Sequence, residues 1–277
     1  MLDSINATIT LANGVQMPRF GLGTYKSAQG GDVEAAVVAA LSLGYRSIDT
    51  ASLYANEPGV GAGIRASGVP RGEVFVASKM WNDEQGYGET LAACERSLTR
   101  LGLGYLDLYL VHWPMPKTPQ TWRALERLLA EGVVHSIGVC NHLQHHLEAL
   151  LPHVSVPPMV NQFELHPWLR QPALVEFCQN LGIVVEGWAP TLRGQASTVP
   201  ELVEIGVRHG RTATQVALRW ALQKDVVVIP KSTHTARIAE NAAVFDFCLS
   251  PEEMAAIDGL DRGERLGPHP DSFARRG

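Results

Sequence analysis

Ser47-Ile48-Asp49-Thr50-Ala51-Ser52-Leu53-Tyr54-Ala55-Asn56-Glu57 is the stretch on which the fold turns. Ser47, Ile48 and Asp49 read as a short buried strand that ends on a carboxylate. Tyr54 stands in the loop opening from that strand, and a helix is expected from about Glu57 to Ala66. Two further apolar runs have the same form. Val74-Phe75-Val76-Ala77-Ser78-Lys79 closes on a lysine, and Leu106-Asp107-Leu108-Tyr109-Leu110-Val111-His112 closes on a histidine. An acid, a phenol, an ammonium and an imidazole are thereby placed at the carboxyl ends of consecutive parallel strands, the makings of a proton-donating site.

Working outward, strand, loop and amphipathic helix alternate along most of the chain. Ala7 to Leu11 alternates in polarity, and Asn13-Gly14 supplies a turn to the return strand Val15 to Met17, so a β-hairpin capping one end is expected before the first repeat. Strands are then read at Phe20–Gly23, at Ser47–Asp49, up to Lys79 and up to His112. Helices are read at Val33–Leu43, Glu57–Ala66, Thr90–Arg100 and Thr121–Ala130. In the second half the strands are Ser136–Cys140, Met159–Glu164, Ile183–Trp188 and Val226–Pro230. Their helices are Leu143–Leu151, Pro172–Leu181, the pair Val199–His209 and Thr212–Gln223, and Ala236–Ala243. Thr212 and Gln215 have capping-box spacing. Eight units in series without a linker or composition shift predict one α/β domain over 1–277, a (β/α)8 TIM barrel, whose typical size is roughly 250 residues. Ser250-Pro251 starts an extra helix. The tail from Asp261 to Gly277 reads as an irregular loop free to fold across one barrel mouth.

Composition excludes several classes of function. The 277 residues carry 23 Lys and Arg against 28 Asp and Glu, a formal charge of -5, and no dense basic run, which speaks against nucleic acid and anionic membrane as partners. The first ten residues have an early acid and no apolar core, and no segment approaches the length of a membrane span, so a cytoplasmic protein is expected. Cys94, Cys140, Cys178 and Cys248 are widely spaced and read as buried free thiols. With no exposed heptad and no unpaired strand, a monomer is expected. His142, His145 and His146 have helical spacing, but no carboxylate or cysteine nearby completes a metal set; they read as a solvated helix start, and no metal is expected. Gly59-Val60-Gly61-Ala62-Gly63 lacks the third glycine of a dinucleotide fingerprint and reads as a close-packed helix face.

The strand ends have a chemical logic. A free phenol has a pKa of about 10 and is a poor acid at neutral pH, and a neighbouring ammonium lowers that value. Lys79 supplies the ammonium, Asp49 holds the lysine, Tyr54 becomes the general acid, and His112 orients a substrate carbonyl. Each residue alone has a structural explanation; four at adjacent strand ends do not. Lys231, Ser232 and Arg237, at the start of the helix after the last strand, make an anion site where barrels commonly bind phosphate. Glu240 and Asn241 are within reach of an adenine edge. Asn141 and Gln162 offer amides to a carboxamide, and Trp188 offers a face for ring stacking. Tyr25, Trp81 and Trp113, with His112, are read as the pocket for a small carbonyl substrate, closed by residues after Arg265.

The chain resembles an aldo-keto reductase along nearly its whole length. The resemblance is carried by G-L-G-T-Y at Gly21–Tyr25, D-T-A-x-x-Y at Asp49–Tyr54, L-V-H-W-P at Leu110–Pro114, N-Q-F-E-L-H-P at Asn161–Pro167 and I-P-K-S-x-x-x-x-R-I-x-E-N at Ile229–Asn241. Within that family, G-W-A-P at Trp188 and the ending L-D-R-G-E-R-L-G-P-H-P-D are similar to the prokaryotic 2,5-diketo-D-gluconate reductase group. The resemblance implies a tetrad of Asp49, Tyr54, Lys79 and His112 and an extended NADPH, with NADH weaker. Gly23, Thr24, Asp49, Leu192 and Thr233 join the cofactor residues already named. It also implies reduction of keto sugars or small aldehydes such as methylglyoxal. The chain departs from the pattern at Cys140, where a serine is usual, in the 189–194 loop, and at His234. Two other readings stay open: a cofactor-binding regulatory protein with little turnover, and a barrel lyase using Lys79 as a Schiff-base nucleophile.

Overall fold

The computed structural model describes residues 4–273. An antiparallel hairpin, β1 (Thr8–Thr10) and β2 (Gln16–Pro18), comes first, in register Thr8 opposite Pro18 and Thr10 opposite Gln16. Asn13 Nδ2 donates to the carbonyl of His135 at 2.8 Å and Arg19 pairs with Asp225 at 2.7 Å, both just before later strands. The hairpin therefore covers the amino-terminal mouth of the sheet, as expected.

Eight parallel strands follow: β3 (Leu22–Gly23), β4 (Ser47–Asp49), β5 (Phe75–Met80), β6 (Leu108–Val111), β7 (Ile137–Cys140), β8 (Val160–Glu164), β9 (Val184–Trp188) and β10 (Val227–Val228), each paired with the next. Parallel bridges from Phe20 to Val228 and from Gly23 to Lys231 join the last strand to the first. The amide of Gly21 donates to the carbonyl of Val228 at 2.9 Å across the same seam. This closes the (β/α)8 barrel. The edge strands are shorter than the sequence suggests because the seam is made by isolated bridges rather than a continuous ladder.

The helices between the strands are α1 (Gly31–Ser42), α2 (Glu57–Ala66), α3 (Tyr87–Leu101), α4 (Thr118–Ala130), α5 (Gln144–Leu150), α6 (Pro172–Asn180), α7 (Pro200–His209), α8 (Ala213–Gln223) and α9 (Thr235–Ala242). The extra helix is α10 (Pro251–Asp258), capped by Ser250 as its sequence implies, and Thr212 caps α8 through Gln215. The α2 glycines are a packing face. A Cβ on Gly61 would lie 1.8 Å from the carbonyl oxygen of Leu101, and one on Gly63 would lie 2.7 Å from Val37 Cβ. The helix is thus pressed between α1 and α3 at near-backbone contact.

Two expectations are corrected. Cys94, Cys140 and Cys178 are buried free thiols, but Cys248 is exposed. The tail is not wholly irregular: Pro270–Phe273 forms a short helix, α11, while residues 274–277 lie outside the described ones. Among the described residues no helix is long and apolar enough to cross a membrane.

Candidate active site

Asp49 is the last residue of β4, and the chain turns at once into a single helical turn, Ser52–Tyr54, which places the phenol over the strand end. Buried hydrogen bonds fix that turn. Thr50 Oγ1 donates to Asn56 Oδ1 at 2.9 Å, and Asn56 Nδ2 donates to the carbonyls of Thr24 and Ser27 at 2.9 and 3.2 Å. Lys79, on neighbouring β5, is fully buried and donates to both carboxylate oxygens of Asp49 at 2.6 Å and to the carbonyl of Thr50 at 2.8 Å. Its Nζ lies 5.1 Å from the centre of the Tyr54 ring, and the His112 ring centre lies 5.7 Å from that of Tyr54. The structure therefore brings together all four residues proposed from sequence for acid–base work.

Their electrostatics differ from the sequence expectation in one respect. Burial raises the Tyr54 pKa; Lys79 opposes this through its charge and a hydrogen bond, Asp49 adds to it, and the net shift is upward. Desolvation outweighs the ammonium because Asp49 already neutralises much of its field. For Lys79 itself, burial works against the charge, but Asp49 and then Tyr54 overcome it and raise the pKa. The lysine is thereby held as an ammonium by Asp49, which speaks against the free amine that a Schiff-base lyase requires. Burial, reinforced by Lys79, holds His112 well below the usual imidazole range, so the ring is neutral. Its Nδ1 is buried without a protein partner.

Around this cluster lies a cleft of about 790 Å³, near the upper end for ligand pockets. Its rim at Tyr54 is aromatic. The Tyr25 ring centre is 5.0 Å from that of Tyr54, Trp81 meets His112 edge-on at 5.1 Å, and Phe273 packs 4.2 Å from Trp113. Tyr25, Trp81, His112 and Trp113 all line the cleft. Pro268 and Phe273, from the segment after Arg265 that the sequence places over this pocket, complete this end.

The rest of the cleft runs along the strand ends to α9. Gln162 Nε2 donates to Asp49 Oδ2 at 2.9 Å and to Glu186 Oε2 at 2.7 Å, which leaves its carbonyl oxygen as the acceptor it can offer. Trp188 is fixed by its indole N–H, which donates to Asn141 Oδ1 at 2.9 Å, with the Arg193 guanidinium 5.8 Å from its ring. Asn141 is more engaged than its sequence role supposes, because its Nδ2 also donates to the carbonyl of His112 at 3.0 Å. It retains one N–H for a ligand. At the far end Lys231, Ser232, Thr233, Arg237, Glu240 and Asn241 all line the cleft. Glu240 Oε1 accepts from Thr212 Oγ1 at 2.8 Å. Burial lowers the Lys231 pKa, opposed by Asp32.

Two sequence assignments sit elsewhere. Leu192 is fully buried in the hydrophobic core, and the cleft wall is formed by Thr191, Arg193 and Gly194 beside it. Thr24 lies beneath the floor, where its hydroxyl donates to the carbonyl of Asp49 at 2.9 Å; Gly23 does line the cleft. Thr191 and Gly194 belong to the 189–194 loop singled out in the sequence, whereas Ser197 and Thr214 are lining residues that no sequence motif marks. The donor set nonetheless fits a nicotinamide dinucleotide: a fixed flat indole, an oriented amide acceptor, and two exposed cations at the opposite end.

The histidine group is also revised. His142 is buried rather than solvated, with Nδ1 2.8 Å from the carbonyl of Cys140 and its pKa pushed down to about 3 by burial. His145 and His146 instead meet Asp271, the carboxylate that the nearby sequence lacked.

Comparison with known proteins gives a consistent result. The aldo/keto reductase family model matches residues 19–262. Glyoxal reductase of Bacillus subtilis (strain 168) is 52% identical over 274 residues, 99% of each chain. Putative methylglyoxal reductase DkgA of Salmonella typhi is 45% identical over 268 residues, 95% of this chain and 96% of that one. Among solved structures, MGS-M4, an aldo-keto reductase from a Medee basin deep-sea metagenome library, superimposes with a TM-score of 0.93 at 41% identity, covering 95% of this chain and 98% of the other.

Proposed function

The chain belongs to the aldo/keto reductase family, an oxidoreductase family acting on carbonyls, and on that premise we propose that it is an NADPH-dependent reductase of small aldehydes and dicarbonyls. The observation that carries this reading is the Asp49–Lys79–Tyr54–His112 cluster at the aromatic end of a cleft whose other end is cationic. A nicotinamide cofactor held in the cleft would supply the hydride that the carbonyl carbon takes up. Tyr54 holds its proton at neutral pH and releases it to the carbonyl oxygen as negative charge develops there. Lys79, kept charged by Asp49, stabilises the phenolate left behind. Neutral His112 offers an N–H to the same oxygen and orients it. Lys231 and Arg237 would hold the phosphate that distinguishes NADPH from NADH, and Gln162, Asn141 and Trp188 would hold the nicotinamide.

The aromatic wall favours a compact substrate, and the names of the glyoxal and methylglyoxal reductases support the 2-oxoaldehydes over keto sugars such as 2,5-diketo-D-gluconate. The free thiols fit the reducing cytoplasm, where we place the enzyme as a monomer. The test is loss of nicotinamide absorbance with NADPH, then NADH, against methylglyoxal, a nitrobenzaldehyde and 2,5-diketo-D-gluconate. Faster oxidation of NADPH with methylglyoxal is the expected result. Binding of NADPH without turnover of any of the three would instead identify a regulatory protein.

A further inference from the structure

Outside the cleft, one cluster joins two segments far apart in sequence. His145 and His146, at the start of α5, point their Nε2 atoms at the same Asp271 oxygen, 3.0 and 3.1 Å away. The three candidate ligand atoms lie within 4.8 Å of one another. A tetrahedral ion with bonds of about 2.0–2.1 Å separates its ligands by roughly 3.3 Å, so these nitrogen–oxygen spacings already match the edges of such a site. The side chains are 58%, 19% and 44% exposed, open enough for an ion to enter and for water to complete its coordination.

We propose that His145, His146 and Asp271 bind a divalent transition-metal ion, with zinc as the best match, and that the ion pins the C-terminal segment over the substrate end of the cleft. Two imidazoles and a carboxylate are a borderline-soft donor set, suited to zinc and its first-row neighbours rather than to calcium or magnesium. The segment is tied at its near end by Glu164 Oε1, which accepts from the amides of Leu266 and Gly267 at 2.7 and 3.0 Å. Its far end carries Phe273 onto Trp113 and Trp81, at ring-centre distances of 4.2 and 5.8 Å. Asp271 lies two residues before that ring, so a cation there fixes the pocket wall. Binding has a local cost. His146 Nδ1 accepts the Leu143 amide at 3.1 Å, and ligation through Nε2 moves a proton to Nδ1 and exchanges that helix cap for the metal bond.

The test is calorimetric titration of Zn²⁺ into untagged Cys248→Ser protein, a background that removes the exposed thiol. One equivalent should bind, and His145→Ala or Asp271→Asn should weaken it by about 10- to 100-fold or more. His209→Ala, at the separate His209–Glu253 pair, should not change it. Equal binding by the Asp271→Asn protein would overturn the site. The pinning role rests on the reductase reading and is read separately: Zn²⁺ should change KM for methylglyoxal in the Cys248→Ser protein and not in its Asp271→Asn derivative. Metal binding that leaves KM unmoved would refute the pinning while leaving both the site and the reductase reading in place.

Discussion

A phenol whose pKa is raised by burial keeps its proton at neutral pH, so in the proposed reaction Tyr54 starts as the acid, and the ammonium beside it matters most after the proton has left. The motifs place Lys79 beside Tyr54 and predict that the ammonium decides the phenol's pKa; burial outweighs it, because the degree of desolvation is a property of the assembled barrel. Glu186 is a second case. It was invisible as a functional residue, yet it is buried beneath Gln162, and burial followed by Asp49 pushes its pKa from 4.5 up to about 8. The native state therefore keeps a proton that the unfolded chain releases. The stability this provides is complete below the unfolded value and is lost as pH rises through the folded one, by up to about 1.4 kcal/mol per pH unit between. Urea midpoints at pH 5 and 8 should show this decline in the wild type and a flatter profile in Glu186→Gln; equal slopes would contradict the assignment. Lys231 makes a prediction of another kind. Lys231→Ala should weaken NADPH by about tenfold or more, the value of a charge-assisted hydrogen bond, and leave NADH nearly unchanged. Equal losses, measured by fluorescence titration, would remove its role as the phosphate contact.

Elements were most legible where burial and capping write themselves into local sequence. The strands β5 to β8 are buried along their whole length, β6 and β7 read as apolar runs, and α8 and α10, with capping boxes, start within a residue of expectation. The helix α3 starts three residues before the expected Thr90, because its cap, Gly86, has φ 134° and no side chain to announce itself. The α2 glycines form the packing face that their spacing predicts, at distances a side chain could not share. Gly61→Ala forces a methyl against the Leu101 carbonyl, which a flexible side chain cannot relieve. It should destabilise the protein by about 1–3 kcal/mol without altering kcat, a split that thermal melts and steady-state assays will resolve. An unchanged melting temperature would mean that α2 and α3 separate freely.

At the scale of the whole molecule, eight strand–helix units in series are enough to predict the closed barrel, whereas the contacts that hold the tail are made across the chain and leave no local signal. Glu164 was read only as part of a family motif. Its carboxylate is fully buried, and Leu266, Gly267 and His166, the last at 3.2 Å, converge on its Oε1, with Arg265 3.8 Å from the other oxygen. Glu164→Gln keeps the shape and loses the charge, weakening the anchor by about 1 kcal/mol. KM for a small dicarbonyl should rise about fivefold, with NADPH affinity changing less; the reverse pattern would show that the tail serves the cofactor instead. The central claim, however, is that a phenol delivers the proton. Its most direct test is Tyr54→Phe, assayed for NADPH binding and for methylglyoxal reduction in the same preparation. Binding should stay within about threefold of wild type and kcat should fall by roughly 10²- to 10⁴-fold, the range for a positioned general acid. Reduction at the wild-type rate would mean that the proton comes from elsewhere.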